Sequence, residues 1–149
     1  MKNKIFICLL AVMTMLGFTS CQKGVQMAKK TTFLEVRASQ WEFDKGANMF
    51  YCHFEVPELS SEVYENGEVS VSREYNTGTK NAYQVALPET TYKEIALDNE
   101  DGTTSPYYYC QHIDYAYGVQ FVEVFITISD FYYDDFSPES MVFRLQLTW

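Results

Sequence analysis

Two stretches of this chain alternate apolar and polar residues with a period of two. That pattern restricts the fold more than any other feature. NMFYCHFEV (48–56) sets Phe50, Cys52, Phe54 and Val56 against Met49, Tyr51, His53 and Glu55. MVFRLQLTW (141–149) sends Met141, Phe143, Leu145, Leu147 and Trp149 one way and Val142, Arg144, Gln146 and Thr148 the other. Successive side chains of a strand point to opposite faces, so each stretch reads as a strand with one buried face. TTFLEVRA (31–38), with Leu34, Val36 and Ala38 on one side, and GEVSVSREY (67–75), with Val69, Val71 and Tyr75, follow the same rule.

The remaining segments fit between these. Pro57 ends the second strand because it has no N–H for a ladder. PELSSEVYENG carries a Ser cap, Leu59 and Val63 four apart and an Asn-Gly stop, which suits one or two helical turns. AYQVALP and TTYKEIAL read as strands on either side of Pro88, and DNEDG as a solvated Asp-Gly turn without the spacing of a calcium loop. SPYYYCQHIDYAYG is a tyrosine-rich strand. GVQFVEVFITIS is so continuously apolar that it predicts a central strand covered on both faces. Seven to eight short strands, turn signals between them, one short helical turn and no long helical period imply an all-β chain, an antiparallel β-sandwich of immunoglobulin-like or similar type.

The first residues do not belong to that domain. Lys2 and Lys4 precede IFICLLAVMTML, and small residues follow. This is the layout of a secretory signal peptide, too short to span a bilayer comfortably. The exit, Phe18-Thr19-Ser20-Cys21, resembles the lipobox of bacterial lipoproteins, and its TSC ending resembles those of Bacteroidetes. The resemblance implies removal of residues 1–20 and attachment of acyl chains, palmitate among them, to Cys21. Each buried methylene then contributes about 0.8 kcal/mol of membrane affinity. Gln22 stands where an Asp would favour inner-membrane retention in such lipoproteins, which leans toward the outer membrane. Lys23, in place of the acidic residues common in surface-exported ones, leaves open whether the domain faces periplasm or cell surface. Residues 21–30 read as a lipid-anchored tether and 31–149 as the sandwich domain.

The chain holds 11 basic and 20 acidic residues. Losing Lys2 and Lys4 leaves nine basic residues and a formal charge near −11. That balance excludes nucleic acid, whose phosphates demand basic patches, and leaves the N-terminal lipid as the contact with membrane. Trp41, an aromatic strand, VPELSSEVYENGEVSV and a later ALP are similar to a group of small Bacteroidetes lipoproteins. The likeness covers most of the mature domain, contains no catalytic motif, and implies an all-β exported domain.

With Cys8 in the signal and Cys21 acylated, Cys52 and Cys110 are the pair left to form a disulfide in an oxidising compartment. Bridging them would close a loop worth about 4 kcal/mol in the chain-entropy model. Two separate buried thiols are the alternative. Cys52 and His53 point to opposite faces of one strand, so Cys52, His53, Cys110 and His112 do not make a metal site. No serine elbow, HExxH or phosphate loop is present, and no cofactor motif. What stands out is aromatic density. Asp130, Phe131, Tyr132, Tyr133, Asp134 and Asp135 form an acidic, aromatic loop, and Tyr107, Tyr108, Tyr109, Tyr115 and Tyr117 crowd the earlier strand SPYYYCQHIDYAYG. Aromatic rings beside carboxylates suit a glycan or a protein partner. The tyrosines of the strand itself read as side chains snorkelling from a thin core. The C-terminal strand resembles the last strand of an outer-membrane barrel, but the other strands are too short for one, so its apolar face is expected to meet a core. These features predict a non-enzymatic binding or envelope-assembly module at the outer membrane. A glycan-active hydrolase using loop carboxylates is the alternative.

Overall fold

The computed structural model describes residues 27–129 and 138–149. Among these residues nine strands and one short α-helix follow in order. They are β1 (Lys29–Val36), β2 (Glu42–Asp44), β3 (Met49–Glu55), α1 (Ser61–Asn66), β4 (Glu68–Tyr75), β5 (Tyr83–Ala86), β6 (Glu89–Asp98), β7 (Thr104–Gly118), β8 (Phe121–Ile128) and β9 (Met141–Thr148). They form two antiparallel sheets, one ordered β1-β9-β4-β5 and the other β2-β3-β8-β7-β6. This is the sandwich expected of the alternating segments. The strand beyond the expected number is the three-residue β2, whose turn into β3 is closed by Asp44 accepting from the backbone N–H groups of Gly46 and Ala47.

The core lies between the sheets where the alternation put it. Phe143, Leu145, Ile113, Val122, Val124 and Ile126 have no exposed surface. Each such side chain contributes about 1.5–3 kcal/mol by leaving water. β9 pairs with β1 on one side and β4 on the other, so its inward face meets the core. β8 is central, as its apolar run predicts, but it is not covered on both faces. Phe121, Glu123, Phe125 and Thr127 on its other side are only half-buried, because no second layer of the described residues packs there. Three smaller expectations also shift. Ala38 leaves the β1 face for a 3-10 turn, Trp149 lies past the end of β9 at 39% exposure, and Lys29 and Lys30 of the expected tether are already in β1.

α1 forms where the cap signals stand: the Ser60 hydroxyl accepts from Val63 N–H, and Gly67 N–H donates to Val63 O to end it. At Pro88, after a cis Leu87–Pro88 bond, the chain leaves one sheet for the other, so β5 and β6 belong to different layers.

Register gives the sandwich two distinct ends. Ala28 and Trp149 exchange backbone hydrogen bonds at one of them. β1 and β9 run antiparallel from Lys29↔Thr148 to Val36↔Met141, about 24 Å away at strand rise. Ser129 and residues 138–140 therefore lie at the end opposite Ala28. The β6–β7 hairpin also extends that way: β7 pairs with β8 only from Gln111 onward, while its pairing with β6 continues to Asp98↔Thr104.

Candidate functional site

Asp130, Phe131, Tyr132, Tyr133, Asp134 and Asp135 lie outside the described residues, as does Cys21. The residues that bracket the loop are held firmly. Ser129 N–H donates to Cys110 O, and Cys110 N–H donates to Ser129 Oγ. On the other side Pro138 is buried, Glu139 O accepts from Trp41 Nε1 at 3.1 Å, and Ser140 Oγ accepts from Ala38 N–H.

Between the sheets, at this same end, the core becomes polar. Arg73 of β4 points inward with 5% of its surface exposed, donates from Nη2 to Glu139 Oε1 at 2.7 Å, and stacks its guanidinium 4.4 Å from the centre of the Tyr75 ring. Lys93 of β6 reaches the same Glu139 oxygen at 3.3 Å. Burial works against the Glu139 charge, but the Arg73 hydrogen bond and the Lys93 ammonium together hold its carboxyl below the usual carboxylate range. Tyr75 lies flat on Tyr83 at 4.8 Å and donates its hydroxyl proton to Glu89 Oε1 across the gap at 2.5 Å. Burial, then that carboxylate, push the Tyr75 phenol far above its ordinary value. Arg73 Nη1, Glu89 Oε2, Thr91 Oγ1 and Gln111 Oε1 are buried with no hydrogen-bond partner among the described residues. This is a structural network with spare hydrogen-bonding capacity.

The outer face of the five-stranded sheet is the other unusual surface. Strand register arranges its side chains in rows. Glu42, Tyr51, Phe125 and Asp114 form one row across β2, β3, β8 and β7. His53, Glu123 and Ala116 form the next. On the hairpin, Tyr92 stands opposite Cys110 and Glu94 opposite Tyr108, and Tyr92 and Tyr108 are 82% and 61% exposed. Carboxylates recur along this face, and its outward positions carry no lysine or arginine. The Tyr51 hydroxyl donates to Glu42 at 2.6 Å, and that bond with the Glu42 charge raises the phenol pKa. His53 stacks on Phe121 with Nδ1 3.7 Å from Glu123, and His112 Nδ1 lies 2.8 Å from the Thr90 hydroxyl. A shallow cleft of about 300 Å³ opens beside His53, Glu55 and Phe121 at the chain-entry end, and one of about 480 Å³ lies beside Glu35, Arg37 and Ser140 at the other.

The other sheet's outer face is unlike it. Lys29 and Arg144 are interspersed there with Glu35, Glu68 and Glu74, and Arg144 lies 2.7 Å from Glu74 and over the Phe33 ring.

No family model, curated protein or solved structure matches this chain.

The disulfide expectation is corrected: Cys52 and Cys110 are both free. Cys52 stands opposite Val124 and Val124 opposite Tyr115, so Cys110 is two strands across and five residues along. At strand spacing that is roughly 19 Å, against a Cα reach of about 7 Å for a disulfide. Cys52 also faces the core, and Cys110 faces outward beside Tyr92. Cys52 and His53 do take opposite faces, Cys110 and His112 share one, and no group of three metal-ligating side chains occurs among the described residues. The tyrosines of β7 divide as strand alternation requires. Tyr109 and Tyr115 face inward, Tyr115 donating its hydroxyl to Val69 O, while Tyr108 faces solvent. Sequence reading missed Arg73 and Glu89. The signal was there, since Arg73 continues the inward series Val69, Val71 and Tyr75, which leaves a charge on an apolar face.

Proposed function

We propose that this chain is a non-enzymatic binding or envelope-assembly module, held at the bacterial outer membrane by acyl chains on Cys21, and that it meets its partner through the outer face of the five-stranded sheet. The observation that carries this reading is the contrast between the two outer faces. One mixes charges of both signs, with Arg144 set between Glu74 and Phe33. The other exposes Tyr92, Tyr108 and a recurring set of carboxylates, with His53 and His112 among them but no lysine or arginine at its outward strand positions. Exposed aromatic side chains grouped on one surface are the usual mark of an interaction site. Support for the anchor comes from the signal-like N-terminus and its TSC exit. Support for the orientation comes from register: Ala28 enters at one end, and the hairpin carrying Tyr92 and Tyr108 extends toward the other, away from the tether.

Two experiments test the reading. Cys21→Ala should move the protein from the membrane to the soluble fraction, and unchanged partitioning would remove the anchor. Glycan and peptide arrays probed with the full chain should give a signal that Tyr92→Ala/Tyr108→Ala lowers. A signal lowered instead by Tyr132→Ala/Tyr133→Ala would assign binding to the acidic loop. Turnover of a bound glycan, lost on removing one carboxylate, would replace the reading with a hydrolase.

A further inference from the structure

We infer that the outer face of the five-stranded sheet takes a cationic polypeptide segment, one with basic residues on either side of an apolar residue. The inference rests on the binding reading above and names the partner's chemistry. Three features of the face point to it. The first is sign: carboxylates recur on every strand of this sheet, and no outward position offers them a lysine or arginine. Glu123 and Asp114 have a histidine within 4 Å but no lysine or arginine, so a partner that supplies cations would neutralise charges the sheet does not, whereas an acidic or phosphorylated partner would be repelled.

The second is order within one row. Glu42, Tyr51, Phe125 and Asp114 run side by side across four strands, with a carboxylate at each end and two rings between. Three strand spacings separate the acids, about 14 Å. An extended peptide repeats its side chains on one face at every second residue, so residues four apart are about 13–14 Å apart. A segment laid across the strands can therefore set a basic residue over each acid and the residue midway between them over the rings. Aromatic faces add attraction for the adjoining ammonium or guanidinium groups. The third feature is preorganisation. Tyr51 donates its hydroxyl to Glu42, and the Tyr115 backbone N–H donates to Asp114, whose other oxygen lies 3.9 Å from His112 Nε2, so both carboxylates are already fixed by their neighbours.

The test uses the full-length protein and three synthetic peptides in calorimetric titration. One carries lysine, leucine and lysine at alternate positions separated by serines. The second replaces the lysines with glutamates. The third has the same composition as the first with its two lysines adjacent. The alternating lysine peptide should bind at least tenfold more tightly than the glutamate peptide and several-fold more tightly than the adjacent-lysine peptide. Its affinity should fall at least fivefold between about 50 and 300 mM salt, because exposed charges are screened over a Debye length of several ångströms. Glu42→Gln/Asp114→Asn should weaken it at least tenfold, with circular dichroism and thermal midpoint unchanged. Equal binding of lysine and glutamate peptides, or undiminished binding by the double variant, would overturn the inference. A neutral glycan or acidic ligand whose binding Phe125→Leu reduces would also overturn it, while leaving the binding reading intact. If no array ligand and no peptide binds, both fall together.

Discussion

Arg73 Nη2 lies 2.7 Å from Glu139 Oε1, and the contact joins a buried guanidinium to a carboxylate that is more than half exposed. The two partners are therefore not equivalent. Removing Glu139 leaves a buried cation with its main counter-charge gone, whereas replacing Arg73 by an apolar side chain of similar length removes the charge as well. Breaking buried pairs from one side is destabilising, and apolar replacement is often close to neutral. Glu139→Ala should cost about 2 kcal/mol, less than a fully buried pair because its own side is solvated. Arg73→Met should cost less than Glu139→Ala. Urea unfolding of both variants checks the order, and the reverse order would mean that Arg73 acts chiefly through its stacking on Tyr75.

The same carboxyl gives the fold an acid dependence whose sign follows from its environment. Its pKa in the folded state is held below the ordinary carboxylate value, with Arg73 and Lys93 as its counter-charges. Folded protein then binds fewer protons than unfolded protein in the interval between the two values. The contribution is present above the unfolded value, near 4.5, and is lost as pH falls through the folded one. Wild type should therefore lose stability below about pH 4.5 more steeply than Glu139→Gln. Unfolding midpoints at pH 3, 4, 5 and 7 compare the two, and parallel curves would show that Glu139 is not a contributor.

How much of this was legible before the structure depends on what each feature rests on. Alternation rests on local chain geometry, so the inward sets of β3, β8 and β9 could be read directly: Phe50, Cys52 and Val56, then Val122, Val124 and Ile126, then Met141 through Leu147. Chain breaks rest on local chemistry too, and Pro57, Ser60, Asn66-Gly67 and Pro88 stand at the boundaries they mark. Contacts between distant strands are not local. The pairing of Arg73 with Glu139, 66 residues on, needs the order β9-β4 in one sheet and the position of β6 in the other. The distance between Cys52 and Cys110 needs the order β3-β8-β7. The row Glu42-Tyr51-Phe125-Asp114 needs four strands in register, and the sequence prompted attention to the acidic loop instead. The apolar run of β8 overstated its burial, because Phe121 and Phe125 are half-buried, with no covering layer among the described residues.

Gly67 marks a close approach that is not a matter of φ. Its φ is −96°, which any residue can adopt, yet a Cβ there would lie 2.6 Å from Val63 O and 2.8 Å from Thr148 O. Both are backbone atoms, one in α1 and one at the end of β9, so neither can swing aside. Gly67→Ala should destabilise the fold by about 2 kcal/mol. Gly102 is the converse case: its φ is +80° and nothing lies within 4 Å of the added Cβ, so Gly102→Ala should cost about 1 kcal/mol through backbone strain alone. Chemical denaturation should separate the two. Equal losses would show that α1 and the end of β9 can move apart.

The two strand cysteines should behave as independent thiols of unequal reactivity. Cys52 is buried among core side chains, and burial pushes its thiol pKa up, which lowers the thiolate fraction available to an alkylating reagent. Cys110 lies on the outer face between Tyr108 and His112 and is partly exposed. Iodoacetamide under native conditions should label Cys110 well before Cys52, and Cys52 should react at the rate of global or local opening. Mass spectrometry without reductant should find both thiols free, and reductant should leave the thermal midpoint unchanged. A mass two hydrogens below that of the dithiol and restored by reductant, or a midpoint lowered by reductant, would mean that Cys52 and Cys110 come together, which would require β7 to slide by about five residues past β8 and, because β8 would still hold them two strand spacings or about 10 Å apart, a further rearrangement of the sheet. Such a slip is odd in number, so it would turn Ile113 and Tyr115 out of the core and Asp114 into it. The burial of Ile113 at zero exposure stands against that register.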